Sequence, residues 1–245
     1  MRALGTYRLK AAQSIRIRSV ESPNERILVA QGEMLRFEWM PDGSSLIATI
    51  LAKDSTNGLY RIDASTGLNT FLCNIERGRV FTPAADGKSV FHLMDAGLKK
   101  VDLATGKLTS LIERDLSGQG PMGIRRSPDG KSLVLTTFAW IGIYDIASGS
   151  VKDLFKSPIE HSQNVWGADW SSDNQYVFAI VRANAADGDR EIWTYPVSGG
   201  QPKRQTQAGK IRDFAASPDG NYAAISVNHS HSQVWILDNF LPAKQ

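Results

Sequence analysis

Short apolar runs recur along the chain, each closed off by a cluster of Asp, Asn, Ser, Pro and Gly, and none is long enough for a helical stripe to develop. The clearest case is Ser127-Pro128-Asp129-Gly130-Lys131-Ser132, which leads into Leu133-Val134-Leu135. Proline presets the backbone for the second position of a turn, Asp tolerates the third, and Gly takes the left-handed residue that closes a hairpin. Equivalent turns read Pro41-Asp42-Gly43, Ala85-Asp86-Gly87, Ser172-Asp173-Asn174 and Pro218-Asp219-Gly220. Their aspartates step forward by 44, 43, 44 and 46 residues. That period suits a blade of four strands.

The pattern therefore predicts an all-β chain: a β-propeller of four-stranded antiparallel blades, about six units in all. Residues 1–31 form a first, incomplete unit; 32–75, 76–112, 113–155 and 156–207 are whole; 208–245 is again incomplete. The unit 1–31 lies without a gap over the tail of the fourth whole unit, which places strands near Gly5–Lys10, Ser14–Val20 and Arg26–Ala30. The Ile15-Arg16-Ile17-Arg18 alternation puts both arginines on one strand face. A second hairpin recurs as Asp63 to Gly67, Asp102 to Gly106 and Asp145 to Gly149, and is altered at Pro196 to Gly200. Small residues such as Ala215 and Ala216 suit an inner first strand. The bulky Tyr60, Tyr144, Trp193 and Trp235 suit packing between blades.

Composition adds exclusions. At 245 residues, with 42% hydrophobic and 22% charged residues, the chain can bury a substantial core. No apolar run reaches the roughly 18 residues of a membrane helix, and the N-terminus lacks the apolar stretch of an export signal. Cytoplasm is the default expectation, with the periplasm the alternative for a piece of a larger exported protein. The net charge of +3 is uneven: residues 1–36 carry +4 and the remainder −1. Nucleic acid is thus not an expected partner. Cys73 has no second thiol and reads as a small hydrophobe on a strand.

These residues resemble a known family. Ser127-Pro128-Asp129-Gly130-Lys131 followed by an apolar strand, then Ile143-Tyr144-Asp145 or Glu191-Ile192-Trp193, looks like the WD40-like (PD40) repeat of TolB-type β-propellers. The stretch from Gln233 to Pro242 is similar to the end of propeller domains attached to bacterial Ser/Thr kinases and transcriptional regulators. The resemblance implies a sensing or protein-binding module, with a larger kinase or regulator as its setting, and it carries over no catalytic residue.

Candidate chemistry is sparse. No Gly-x-Ser-x-Gly elbow is present; Gly87-Lys88-Ser89 and Gly130-Lys131-Ser132 are turn exits. His229 and His231, two apart, would point to one side of an extended segment and could share a metal with His92 or His161. This is the basis of the alternative expectation, a metal-assisted polysaccharide lyase or hydrolase. Asn184 and the segment Ala185 to Asp189 offer oxygens for calcium but lack the later bidentate Glu. The leading expectation is non-enzymatic and needs no cofactor: a scaffold that binds a protein or small ligand. In a propeller, the connections between second and third strands share a face with those between blades. Here that face holds the long segments 113–120, 156–163, 182–190 and 228–232, and long loops on a rigid frame are where binding concentrates. The expected surface is Arg77, Arg79, Arg125, His161, Trp166, Arg182, Arg212 and His231. Asp129 is expected on the opposite, short-turn face, as a structural residue.

Overall fold

The aspartate-centred turns make hairpins of uniform geometry. The computed structural model describes residues 2–4, 14–18, 25–29, 33–51, 57–75, 80–113, 116, 120–157, 164–183, 188–207, 209–217, 222–228 and 232–238. All the elements there are strands, in six antiparallel sheets. The first has three strands, β1 (Arg2–Leu4), β2 (Ser14–Arg18) and β3 (Glu25–Val29). Four strands each make the next two: β4 (Glu33–Trp39), β5 (Ser45–Leu51), β6 (Asn57–Asp63) and β7 (Asn69–Asn74), then β8 (Val80–Pro83), β9 (Ser89–Met94), β10 (Gly97–Asp102) and β11 (Leu108–Glu113). The fourth holds β12 (Pro121–Arg126), β13 (Ser132–Thr137), β14 (Trp140–Asp145) and β15 (Val151–Lys156). The fifth holds β16 (Val165–Trp170), β17 (Tyr176–Arg182), β18 (Arg190–Pro196) and β19 (Lys203–Arg204). In the sixth are β20 (Ile211–Ala216), β21 (Tyr222–Asn228) and β22 (Ser232–Asp238). Each sheet is an up-and-down blade, so the expected class, a β-propeller of four-stranded antiparallel blades, is the observed one, with three strands in the first and last sheets among the described residues.

In the first sheet the opening described strand is Arg2–Leu4, registered Arg2 to Arg18 and Leu4 to Arg16; the strand expected near Gly5–Lys10 lies outside the described residues. The Ile-Arg alternation has a packing cause. Ile15 and Ile17 are buried against Leu46, Ala48, Ile50 and Ile62 of the neighbouring blade.

Contacts in space gather two units, residues 1–94 with 98–110, and residues 95–97 with 111–245. In the first unit, Ile47, Leu59, Phe81, Val90 and Val101 form a core with half-buried Cys73 beside them, and burial pushes the Cys73 thiol up from its ordinary pKa. The second unit has two cores. One joins Val134, Ile141, Ile143, Trp170, Val177, Ala179 and Tyr195; the other joins Phe178, Ile180, Ile192, Ile211, Ala223 and Ile225. Tyr144 is buried, Tyr60 and Trp193 are half-buried against cores that join strands of two blades, and the side chain of Trp235 lies outside the described residues. The first strands are not uniformly crowded: β8 is buried throughout, while Ala215 of β20 is exposed. No helix among the described residues is long and apolar enough to cross a membrane.

The turns show why Asp recurs. In the β12–β13 turn, buried Ser127 donates its hydroxyl to Asp129 Oδ1 at 2.6 Å and accepts the Ser132 amide at 2.9 Å. The same carboxylate oxygen accepts the Lys131 amide at 3.1 Å. The β16–β17 turn repeats the set through Ser171, Asp173, Gln175 and Tyr176. There Asn174 takes the glycine's place at φ 61°, a left-handed conformation Asn tolerates. Its side chain also accepts the Asp129 amide at 3.1 Å, tying one blade's turn to the next.

The second hairpins use Asp differently. Asp63 Oδ1 accepts four hydrogen bonds, from the amides and hydroxyls of Ser65 and Thr66 at 2.6–2.9 Å. Asp102 and Asp145 hold Thr105 and Ser148 in the same manner. At Pro196 the carboxylate is absent, and the chain reverses on Gly199 and Gly200 at φ 103° and 119°.

Hydrogen bonds to the charged form hold Asp42, Asp63, Asp102, Asp129 and Asp145 below the usual carboxylate range. A folded-state pKa below the unfolded one means stability that is present above the unfolded value and lost as pH falls through the folded one. The urea midpoint should therefore change little from these groups above about pH 5 and drop steadily below about pH 4. A midpoint unchanged down to about pH 3 would show that the turn carboxylates add nothing to stability.

Candidate functional site

The first strands of four blades share an irregularity that re-aims a side chain. Their pairing with the second strand skips one residue, between Met34 and Arg36, Pro121 and Gly123, Val165 and Gly167, and Ile211 and Asp213. The bulged residues are Leu35, Met122, Trp166 and Arg212. Each stands seven positions before its turn aspartate, at the end of the blade where the long connections lie. A bulge bends its strand and turns the extra side chain out of the pleat, and such bulges gather beside functional sites. Arg79 has the same offset from Asp86; Arg79 and Arg77 lie outside the described residues.

In the second unit the bulged Trp166 and Arg212 come together with two further arginines. Arg182 closes β17 and Arg190 opens β18, and the two are direct partners across the hairpin. Their amides bond elsewhere, Arg182 to the Asn164 carbonyl at 2.7 Å and Arg190 to the Gly209 carbonyl at 2.8 Å. Theirs is thus the close, non-hydrogen-bonded kind of pair. The Arg190 guanidinium lies over the Trp166 ring, 3.5 Å from its centroid, and its Nη1 donates to the Ile211 carbonyl at 2.7 Å. Trp166 in turn packs on the core of Phe178, Ile180, Ile192 and Ile211. Burial lowers the pKa of Arg190 from the ordinary arginine value, and the positive charges of Arg212 and Arg182 lower it further.

Of the expected surface residues, Trp166, Arg182 and Arg212 are therefore assembled at one end. Arg125 is not. It is the penultimate residue of β12, paired with Val134 beside the Ser127–Ser132 turn, which puts it near the short-turn end; its Nη1 lies 3.1 Å from the Ile124 carbonyl. A first strand begins at the long-connection end, so a residue this late in it cannot serve that surface. His161, His229 and His231 lie outside the described residues. Arg190, missed in the sequence, was legible as the mirror position of Arg182 across the 182–190 hairpin.

The metal readings find no assembled site among the described residues, which hold one of the four candidate histidines. His92, the histidine among the described residues, is buried on β9 opposite Phe81. No three His, Cys, Asp or Glu side chains gather as ligands among the described residues. Asp189, the last oxygen donor of the calcium candidate, instead pairs with Lys210 at 2.5 Å.

No family model matches the chain, and no curated protein matches it. Solved structures do. TolB from Acinetobacter baumannii superposes with a TM-score of 0.72 at 18% identity, covering 93% of this chain and 57% of that one. A TolB protein of Agrobacterium tumefaciens gives 0.68 at 18% identity, over 94% of this chain and 86% of the other. Hydrazine synthase of Kuenenia stuttgartiensis gives 0.63 at 16% identity, over 93% and 62%. The chain spans less than two thirds of the A. baumannii and K. stuttgartiensis proteins. Likeness at this identity shows the fold, which is that of the TolB-type β-propeller.

Proposed function

We propose that this chain is a non-enzymatic propeller module that holds a protein partner or small ligand at the long-connection end of its blades. The observation that carries this reading is the shared bulge, which turns Trp166 and Arg212 out of their strands at that end, where Arg182 and Arg190 join them. Tryptophan and arginine are the side chains most often found where binding energy concentrates. The short-turn end has the opposite character. Its aspartates are consumed by hydrogen bonds within their own turns.

Photo-crosslinking compares the two ends in cells. A crosslinking residue at exposed position 212 should give a discrete adduct that weakens when Trp166 is replaced by alanine. One at exposed Lys131, beside the β12–β13 turn, should give none. Equal adducts from both positions, or one from position 131 alone, would overturn the assignment.

A further inference from the structure

Two arginines directly opposite each other across a hairpin repel, and like charges so placed ordinarily weaken a sheet. Arg182 and Arg190 are in that relation, and Arg190 bonds to the carbonyl of Ile211, the residue before Arg212. The two carboxylates that flank Arg190 in the chain are engaged elsewhere. Asp189 is paired with Lys210 at 2.5 Å, and Glu191 accepts from the Trp193 indole at 2.9 Å and from Arg204 at 3.0 Å. Two donors at the cluster are shielded from solvent and meet no acceptor among the described residues: the Trp166 indole N–H and the Arg190 Nε–H. A buried donor left without an acceptor is costly. A like-charged cross-strand pair beside buried donors that meet no acceptor among the described residues is an arrangement that an anion would complete.

We propose that Arg182, Arg190, Arg212 and Trp166 form a seat for an oxyanion, the carboxylate or phosphate group of a ligand. Guanidinium groups present N–H pairs whose spacing fits both groups, and charge-assisted bonds of this type are about twice as strong as neutral ones. Trp166 supplies a flat apolar floor that fixes the plane of Arg190 by stacking, so the arginine is ordered before a ligand arrives. Asp189 and Lys210 neutralise one another beside the seat, so Asp189 does not take up Arg190. The proposal rests on the reading that this end of the blades binds, and names the chemistry it recognises.

Isothermal titration of the full chain with inorganic phosphate and with citrate, at matched ionic strength, tests it. Saturable one-site binding of either anion is expected. Phosphate alone would assign a phosphoryl group, and citrate alone a carboxylate. Arg182→Gln should weaken binding by roughly tenfold, the cost of one charge-assisted hydrogen bond. Arg190→Gln should weaken it further, and Arg212→Gln serves as a second exposed variant should Arg190→Gln fail to fold. Heats no larger than those of sodium chloride, or affinities unchanged in both Arg182→Gln and Arg212→Gln, would overturn the seat. Those outcomes would leave the crosslinking comparison standing, whereas adducts from the wrong end would refute the binding face without touching anion affinity.

Discussion

Replacing Phe178 by alanine is expected to cost about 3–5 kcal/mol of unfolding stability, the largest effect of any single change considered. Phe178 is fully buried on β17, where it opposes Asp169 on β16 and Thr194 on β18. Its ring packs 5.5 Å from that of Phe214, tilted by 58°, and it joins Ile180 and Ile192 of its own blade to Ile211, Ala223 and Ile225 of the next. Strands on both sides are fixed by their ladders, so the space left by the ring cannot close, and the lost contacts add to the lost burial. Urea denaturation measures the cost. Because Trp166 and Ile211 rest on the same cluster, the variant should also weaken whatever binds at Arg190. A loss under about 1 kcal/mol would mean that the blades do not share this core.

Gly142→Ala should destabilise by about 1–3 kcal/mol, although glycine-to-alanine changes at compatible positions usually stabilise by up to about 1 kcal/mol. The sign reverses because of Trp140. A Cβ on Gly142 would press on Cζ2 of that indole and stand 2.5 Å and 2.8 Å from Cη2 and Cε2. The ring cannot swing aside cheaply: it is buried, and its Nε1 donates to Asp153 at 2.6 Å. The pairing of β14 with β15 slips between Ile141 and Gly142, so the indole lies across the strand where a side chain would otherwise stand. Combining Gly142→Ala with Trp140→Leu should recover part of the loss in the same urea experiment, since the smaller side chain vacates the space. Equal penalties with and without the tryptophan would show that backbone, not packing, requires the glycine.

Period and turn chemistry in the sequence were enough to reveal the blades, because each turn is a local structure closed by its own residues. Asp129 with Ser127, and Asn174 at the left-handed position, are cases where neighbouring residues determine the conformation. The departure at Pro196 was legible for the same reason. What escaped was the β-bulge, which has no composition of its own: Leu35, Met122, Trp166 and Arg212 share a position and nothing else. Its regular place, seven residues before each aspartate, emerges only once strand pairing is seen. Arg125 lies late in the first strand, near the short-turn end, a position that loop lengths alone do not encode. Arg190 takes its place from a cross-strand partner and from Trp166 in another strand, relations that alternation along a single strand does not encode.

Asp129 and Arg182 stand at opposite ends of their blades and divide the two roles, and the thermal midpoint followed through a phosphate titration separates them. A ligand that binds only the folded state raises that midpoint by an amount that grows with the logarithm of its concentration relative to its dissociation constant. Asp129→Ala should begin about 2–4 °C below the wild-type chain, for a loss near 1 kcal/mol, and then rise with phosphate as the wild type does. Arg182→Gln should begin at or slightly above the wild-type midpoint, since it relieves the repulsion with Arg190, and rise far less. An Asp129→Ala variant with an unchanged midpoint and no response to phosphate would contradict the account, because it would place binding at the turns and not at the bulged, arginine-lined end.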